Sequence, residues 1–296
     1  MKRITILINC KDSQGIIATV TNFIHQQNGN IVYIDQHVDR EDDRFFMRLE
    51  CEFPGSVFSV KGFNDDFQER IACLYDMDWQ LYDSDYKPKM AVFVSKYAHC
   101  LYDILSRYSA GELEVEIPLI ISNHPDVGPI AKSFGIPFHC VEVTRDNKAA
   151  AEEVQLSLLK EFQVDFIVLA RYMQILSARL VAAYPDHIIN IHHSFLPAFP
   201  GAKPYHSAYE RGVKIIGATS HYVTEELDEG PIIEQDITRV SHSHTIKDFI
   251  AKGRDLEKIV LSRALALLQE RPRMSKARAV VAAVRTTPET VLDDYG

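Results

Sequence analysis

Seven of the twelve histidines fall between His187 and His244, which marks that quarter of the chain as the place to look for chemistry. Within it, Ile188-Ile189-Asn190-Ile191-His192 is an apolar run that turns polar towards its end. Read as a strand, its alternation sets Asn190 and His192 on one face, two residues apart, both projecting from the strand's carboxyl end. An amide N–H and a protonated imidazole are donors suited to an oxygen that gains negative charge during a reaction. Free histidine titrates near about 6.5, so a neighbouring carboxylate would favour the imidazolium. A proline-rich loop follows from His193 to Gly201, then a short helical pattern near 207–211 and an apolar run at Ile215-Ile216. Gly217 to Val223 leads into Thr224-Glu225-Glu226-Leu227-Asp228-Glu229-Gly230-Pro231, an acidic turn, and a further strand is expected at 232–237.

Such side chains need a scaffold that presents strand ends. Asp83-Ser84-Asp85-Tyr86-Lys87-Pro88 is polar, contains proline and reads as a linker. Beyond it, apolar runs at 90–94, 117–121, 138–143, 166–169 and 188–191 alternate with helical patterns near 101–108, 127–134 and 149–162. Strands separated by helices of this length predict an α/β domain over 86–296 with a doubly wound, mostly parallel sheet. In such sheets ligands bind outside the carboxyl ends of the strands.

Residues 1–85 have another rhythm. A β-branched run at 4–8 meets turn chemistry at Asp12-Ser13-Gln14-Gly15, and Ile16, Ile17, Val20, Phe23 and Ile24 then recur at helical spacing. Asn28-Gly29-Asn30 is expected to stop that helix, because asparagine and glycine tolerate the left-handed conformation. Strand alternation follows at 31–37 and 45–53 across a hairpin turn at Glu41-Asp42-Asp43. A second helix is expected over 57–74 and a last strand at 79–82. The order βαββαβ predicts a ferredoxin-like sandwich. With Asp12 to Gly15 followed by Ile16-Ile17-Ala18, it resembles an ACT domain. That resemblance implies an effector turn at Asp12, Gly15 and Ile16 for a small amino acid, and a homo-oligomer, since these modules work in pairs. A packing or dimerisation module with no ligand is the plain alternative.

Composition narrows the classes. The 296-residue length fits about two domains. A chain that is 46% apolar and 25% charged is neither disordered, collagen-like nor coiled-coil. A net charge of −9 supplies no basic field for nucleic acid. No apolar run nears the roughly 20 residues of a membrane span, and Met1-Lys2-Arg3 leads straight into a strand-like segment rather than a signal peptide. Neither a nucleic-acid nor a membrane partner is expected. Cys10, Cys51, Cys73, Cys100 and Cys140 form no CxxC pair and read as small buried hydrophobes in a reducing cytoplasm.

Asn190-x-His192, the loop His193-Ser194-Phe195-Leu196-Pro197, Gly201, Gly217 and the Leu227-Asp228-Glu229-Gly230-Pro231 turn resemble the signature of the formyltetrahydrofolate-dependent formyltransferase and hydrolase family. Asp228 falls 38 positions after Asn190, as that signature requires. The resemblance implies a catalytic trio. Asn190 and His192 would bind the oxyanion formed at an N-formyl group, while Asp228 would hold the attacking water and pass a proton to the departing folate nitrogen. The bland reading is that Asn190 and His192 cap a strand end and Asp228 shapes a turn. A folate pocket is also implied. Met173, Gln174, Ile175 and Leu176 follow the preceding strand, and Val223, Thr224, Leu227 and Asp228 form the other wall. Plain core is the alternative for Met173, Ile175 and Leu176. His221 is expected either beside the catalytic group or as a buried, satisfied histidine.

Transferases of this family carry a glycine-rich turn after the first strand of the catalytic domain, where backbone N–H groups cradle the acceptor's phosphate. Here that strand runs into Ser95-Lys96-Tyr97-Ala98-His99-Cys100-Leu101, which has no glycine. Water becomes the expected nucleophile. This departure and the added N-terminal module resemble the deformylating branch of the family over residues 1 to about 265, including Lys252-Gly253-Arg254-Asp255-Leu256-Glu257. The resemblance implies cytoplasmic hydrolysis of 10-formyltetrahydrofolate to formate and tetrahydrofolate, balancing the one-carbon folate pool and supplying formate for purine biosynthesis. No cofactor and no metal are implied. Three alternatives stay open. Lys96 could still hold a phosphate, giving formyl transfer to an amine. A metal-dependent amidohydrolase could draw on His192, His193, His206, His221, His242 and His244, although none shows HExxH spacing. A non-catalytic folate or amino-acid sensor would keep the pocket idle. The basic and apolar stretch 271–296 carries no functional reading.

Overall fold

The computed structural model describes residues 1–55, 58–83, 85–198 and 204–270. They fall into two compact units that divide between Tyr86 and Lys87.

The N-terminal unit runs β1 (Lys2–Lys11), α1 (Ile16–Gln26), β2 (Asn30–Asp39), β3 (Arg44–Phe53), α2 (Val60–Arg70), a short 3-10 turn at Ala72–Leu74 and β4 (Asp78–Asp83). Its sheet has the order β2-β3-β1-β4 with every pairing antiparallel, the ferredoxin-like arrangement. Helix α1 buries Ile16, Val20, Phe23 and Ile24, one face at helical spacing. Ser59 caps α2, its hydroxyl accepting the Gly62 N–H at 3.1 Å. Phe63 and Phe67, one turn apart, each set a ring edge-on to Phe23 at 5.4 Å.

Asn28, at φ 58°, is the left-handed residue that ends α1, as expected of Asn28-Gly29-Asn30, while Gly29 serves space, since a Cβ there would lie 2.6 Å from the Phe53 ring. One local expectation changes. The helix expected over 57–74 is interrupted at Ile71, whose φ,ψ of −122°, −57° leaves the helical region. The Val57 end of that expectation lies outside the described residues.

The C-terminal unit runs β5 (Met90–Val94), α3 (His99–Ser109), β6 (Ile120–Ser122), α4 (Gly128–Ser133), β7 (Phe138–Cys140), α5 (Lys148–Glu161), β8 (Phe166–Leu169), α6 (Ala178–Ala183), β9 (Ile188–His192), α7 (Pro204–Arg211), β10 (Ile215–Tyr222), β11 (Ile232–Arg239) and α8 (Ile246–Glu270). The sheet order is β11-β10-β9-β8-β5-β6-β7. Strands β5 to β9 pair in parallel, and β10 and β11 extend the sheet antiparallel. Every residue of β5 and β8 is buried, as strands covered on both faces by helices must be. The carboxyl ends of β5, β8 and β9 therefore stand side by side on one edge.

Helix α6 was not expected from the pattern; Ser177 starts it by accepting the Leu180 N–H. Cys10, Cys51 and Cys100 are buried, but Cys73 and Cys140 are exposed, which corrects the reading of all five as core residues. Among the described residues no helix is long and apolar enough to cross a membrane. Phe199, Pro200 and Gly201 of the proline-rich loop and the stretch 271–296 lie outside the described residues.

Candidate active site

Strands β9 and β10 build one half of the site. Their register sets Asn190 opposite His221 and His192 opposite Thr219, so these four side chains share a face. The register of β10 against β11 shifts between Ser220 and His221, a bulge of the sort that re-aims side chains at a strand end. The turn from β10 to β11 supplies the other half. Asp228 sits there at φ 58°, a left-handed position that aspartate tolerates better than most residues. Gly230 lets the turn close, because a Cβ there would lie 1.8 Å from the Tyr222 carbonyl oxygen. The Tyr222 N–H donates to the Pro231 carbonyl at 2.9 Å across the same turn.

These elements bring the three sequence-predicted residues together. His192 Nδ1 lies 3.3 Å from Asp228 Oδ2, and His221 Nε2 lies 3.6 Å from Asp228 Oδ1. His221 Nδ1 donates to the Tyr222 carbonyl at 2.8 Å, which leaves Nε2 as the acceptor for the Asn190 amide N–H at 3.2 Å. His221 is thus buried and lies beside both Asn190 and Asp228. Burial alone would raise the Asp228 carboxyl, but the hydrogen bond and charge of His192 beside it hold it well below the usual carboxylate range. His192 Nε2 is buried and has no hydrogen-bond partner among the described residues.

The loop after β9 is tied to the sheet from behind. Thr219 Oγ1 donates to the Ser194 carbonyl at 2.8 Å and accepts the Leu196 N–H at 3.1 Å, while Gln235 donates to both Thr219 Oγ1 and the Leu196 carbonyl. The loop after β8 is held as firmly. Arg171 and Met173 have positive φ, the Arg171 carbonyl accepts the Ser95 N–H, and the buried Tyr172 hydroxyl accepts from Gln155. Met173, Ile175 and, across the site's turn, Leu227 are exposed apolar side chains. Gln174 and Thr224 are half-buried, whereas Leu176 and Val223 pack onto the core. For Leu176 the plain-core reading fits.

In the N-terminal unit, Gly15 takes φ 94° and the Asp12 N–H donates to the Asp43 carbonyl at 3.0 Å. Ile16 is 2% exposed, so its side chain belongs to the core rather than to a ligand surface.

Sequence reasoning passed over one cluster. Glu257 of α8 is fully buried and accepts from His99 Nε2 and the Tyr205 hydroxyl, each at 2.7 Å, with Arg171 Nε 3.3 Å away. Its segment was visible in the sequence, but nothing local marks a helical glutamate as one that will be enclosed. Among the described residues His99, Cys100 and Glu257 are the group whose ligand atoms lie close enough, within 4.8 Å, to hold a metal ion. Both Glu257 oxygens are already met by donors, the Arg171 guanidinium repels a cation, and burial drives the Cys100 thiol up. None of the six histidines of the metal-hydrolase alternative belongs to this group.

Comparison with known proteins agrees with this architecture. A family model described as formyl transferase matches residues 88–265. A formyltetrahydrofolate deformylase of Synechocystis sp. is 52% identical over 280 residues, covering 94% of this chain and 98% of its own. One from Bacillus subtilis is 46% identical over 261 residues, 88% of this chain and 87% of its own. The crystal structure of a formyltetrahydrofolate deformylase from Pseudomonas syringae pv. tomato superposes with TM-score 0.88 at 45% identity, covering 91% of this chain and 90% of that one. A phosphoribosylglycinamide formyltransferase from Bacillus halodurans is more distant, with TM-score 0.60 and 34% identity over 62% of this chain and 97% of its own.

Proposed function

The chain belongs to the formyltetrahydrofolate deformylase family, and from that premise we propose how Asn190, His192 and Asp228 hydrolyse 10-formyltetrahydrofolate to formate and tetrahydrofolate. The observation that carries the reading is the buried, unpartnered Nε2 of His192, set opposite the ring nitrogen that meets Asp228. With Nδ1 turned to the Asp228 carboxylate, Nε2–H is the donor left for the formyl oxygen. Asn190 spends one amide hydrogen on His221 and keeps the other for the same oxygen. Each such donor is worth roughly 3–4 kcal/mol once charge develops there.

Asp228 is a weak base because its carboxyl is held low. It therefore orients the water and takes its proton as the new C–O bond forms, when that proton becomes strongly acidic. The proton then passes to the folate nitrogen as the C–N bond breaks. Met173, Ile175 and Leu227 offer apolar surface to the pterin, with Gln174, Leu176, Val223 and Thr224 behind and between them. The reading asks for no metal and no organic cofactor. Dialysis against a chelator should leave the rate unchanged, and a lost rate that zinc restores would overturn that point.

Water as acceptor rests on the stretch from the end of β5 into α3, where Tyr97 and His99 stand and no glycine does. The direct test is formate release from 10-formyltetrahydrofolate with and without glycinamide ribonucleotide. Equal release supports hydrolysis, whereas formyl capture by the amine would make the chain a transferase.

The N-terminal unit fits an effector module and a homo-oligomer contact. Strand β2 is an edge of ten residues with Val32, Tyr33 and Ile34 exposed, a surface that a second copy could cover. An amino acid near Asp12 and Gly15 would modulate the enzyme. Unchanged rate and Tm across the common amino acids would reduce the module to a structural one. Exposed, unpaired Cys73 and Cys140 suit a cytoplasmic setting, with neither nucleic acid nor membrane as partner.

A further inference from the structure

We propose that Glu257 is a positioning residue for folate: its buried carboxylate holds Arg171, and through Arg171 the segment 171–176 that borders the substrate. This rests on the folate-border reading above and adds a residue remote from it in sequence.

Four segments converge on the Glu257 carboxylate. His99 at the start of α3 and Tyr205 of α7 donate to its two oxygens, Arg171 of the loop after β8 approaches the oxygen that His99 uses, and α8 supplies the acid. Gly253, one turn earlier on α8, makes the approach possible, because a Cβ there would lie 2.1 Å from the Tyr205 ring. The Tyr205 ring in turn sets its edge to His193 at 5.7 Å, and His193 packs on His192 at 5.3 Å.

Arg171 depends on this carboxylate. Its side chain is 9% exposed, and neither Nε nor Nη1 has a hydrogen-bond acceptor among the described residues. Its guanidinium lies over the Tyr97 ring, as does that of Arg254, which adds cationic rather than anionic neighbours. A buried guanidinium without counter-charge is costly, so removing the carboxylate should drive Arg171 outward. Arg171 has φ 65° and Met173 φ 54°, two left-handed non-glycine residues that persist only while their surroundings over-determine them. Displacing the Arg171 side chain loosens that backbone and, with it, the exposed Met173 and Ile175.

The test compares kcat, KM for 10-formyltetrahydrofolate and Tm in Glu257→Gln, the double variant Glu257→Gln/Arg171→Met, and Met173→Ala. Glu257→Gln should raise KM about fivefold or more while kcat stays within about twofold, the split expected for lost substrate binding. The double variant removes both buried charges, so Tm should recover while KM stays raised. If Glu257→Gln alone does not fold, the double variant decides by its KM. A wild-type KM in folded Glu257→Gln, or a KM that recovers together with Tm in the double variant, would overturn the proposal. Met173→Ala should raise KM in its own right. A wild-type KM there would instead remove the folate-border reading, a failure distinguishable from the first.

Discussion

His192 and Asp228 face each other at 3.3 Å through Nδ1 and Oδ2, and this contact decides what the rest of the imidazole is free to do. One ring nitrogen is committed to the carboxylate. The other is buried with no partner among the described residues, a state that ordinarily costs about 1–3 kcal/mol. In the mechanism proposed above, a substrate oxygen that gains charge relieves that cost most in the transition state, which would favour reaction over mere binding.

Replacing Asp228 with asparagine keeps the shape of the turn and removes the charge. His192 loses its carboxylate partner and the water its proton acceptor, so kcat should fall by about a hundredfold or more, with KM changed only modestly. Steady-state formate release checks this. Near-native turnover would contradict the role given to Asp228.

Acid should expose the same ion pair in stability measurements. The Asp228 carboxyl is held below its ordinary value of 3.8 in the folded chain, so the folded state prefers it ionised. The resulting stabilisation is fully present above the unfolded value and is lost as pH falls below it towards the lower folded value. The stability gap between the wild type and Asp228→Asn should therefore hold steady from about pH 6 to 5 and narrow below about pH 4. Urea unfolding of both proteins across that range reads it. A gap that stays constant down to about pH 3 would show that the pair contributes nothing.

His221 should matter to rate more than to affinity. Its Nε2 accepts from Asn190 and thereby orients the amide. Without that acceptor, as in His221→Phe, the Asn190 donor is free to turn away, and kcat should drop by about tenfold or more with KM within about twofold. Asn190→Ala should cost at least as much. A His221→Phe enzyme with unchanged kcat would leave Asn190 positioned by something else.

Gly230 offers a test through the backbone. A methyl group there meets the Tyr222 carbonyl at 1.8 Å, and that oxygen belongs to the main chain and has little freedom to yield. Gly230→Ala should shift the turn that carries Asp228, lowering stability by about 1–3 kcal/mol and turnover by about tenfold or more. Urea unfolding and formate release together check it. Wild-type values in both would mean that the turn relaxes without moving Asp228.

Much of this was legible in the sequence because local pattern and tertiary role agree. The runs at 90–94 and 166–169 read as buried strands and are β5 and β8, since burial on both faces leaves an uninterrupted apolar signature. Asn190 and His192 could be placed on one face from strand alternation alone, whereas Asp228 joined them only through the resemblance to the family signature. What stayed hidden depends on contacts remote in sequence. Glu257 looks like any helical glutamate until Tyr205, His99 and Arg171 close around it from three other segments. Gly29 suggested a left-handed helix end, yet the close approach of Phe53 explains it, a neighbour 24 positions away. Cys73 and Cys140 carry no periodic signal, and composition alone misplaced them.

The most direct measurement is kcat for formate release by His192→Ala, made on protein whose far-UV circular dichroism and Tm match the wild type. The account predicts a fall of about a hundredfold or more, the loss of the ring donor at the formyl oxygen. A kcat within about twofold of wild type would contradict it, because the oxygen would then be stabilised without the ring on which the mechanism is built.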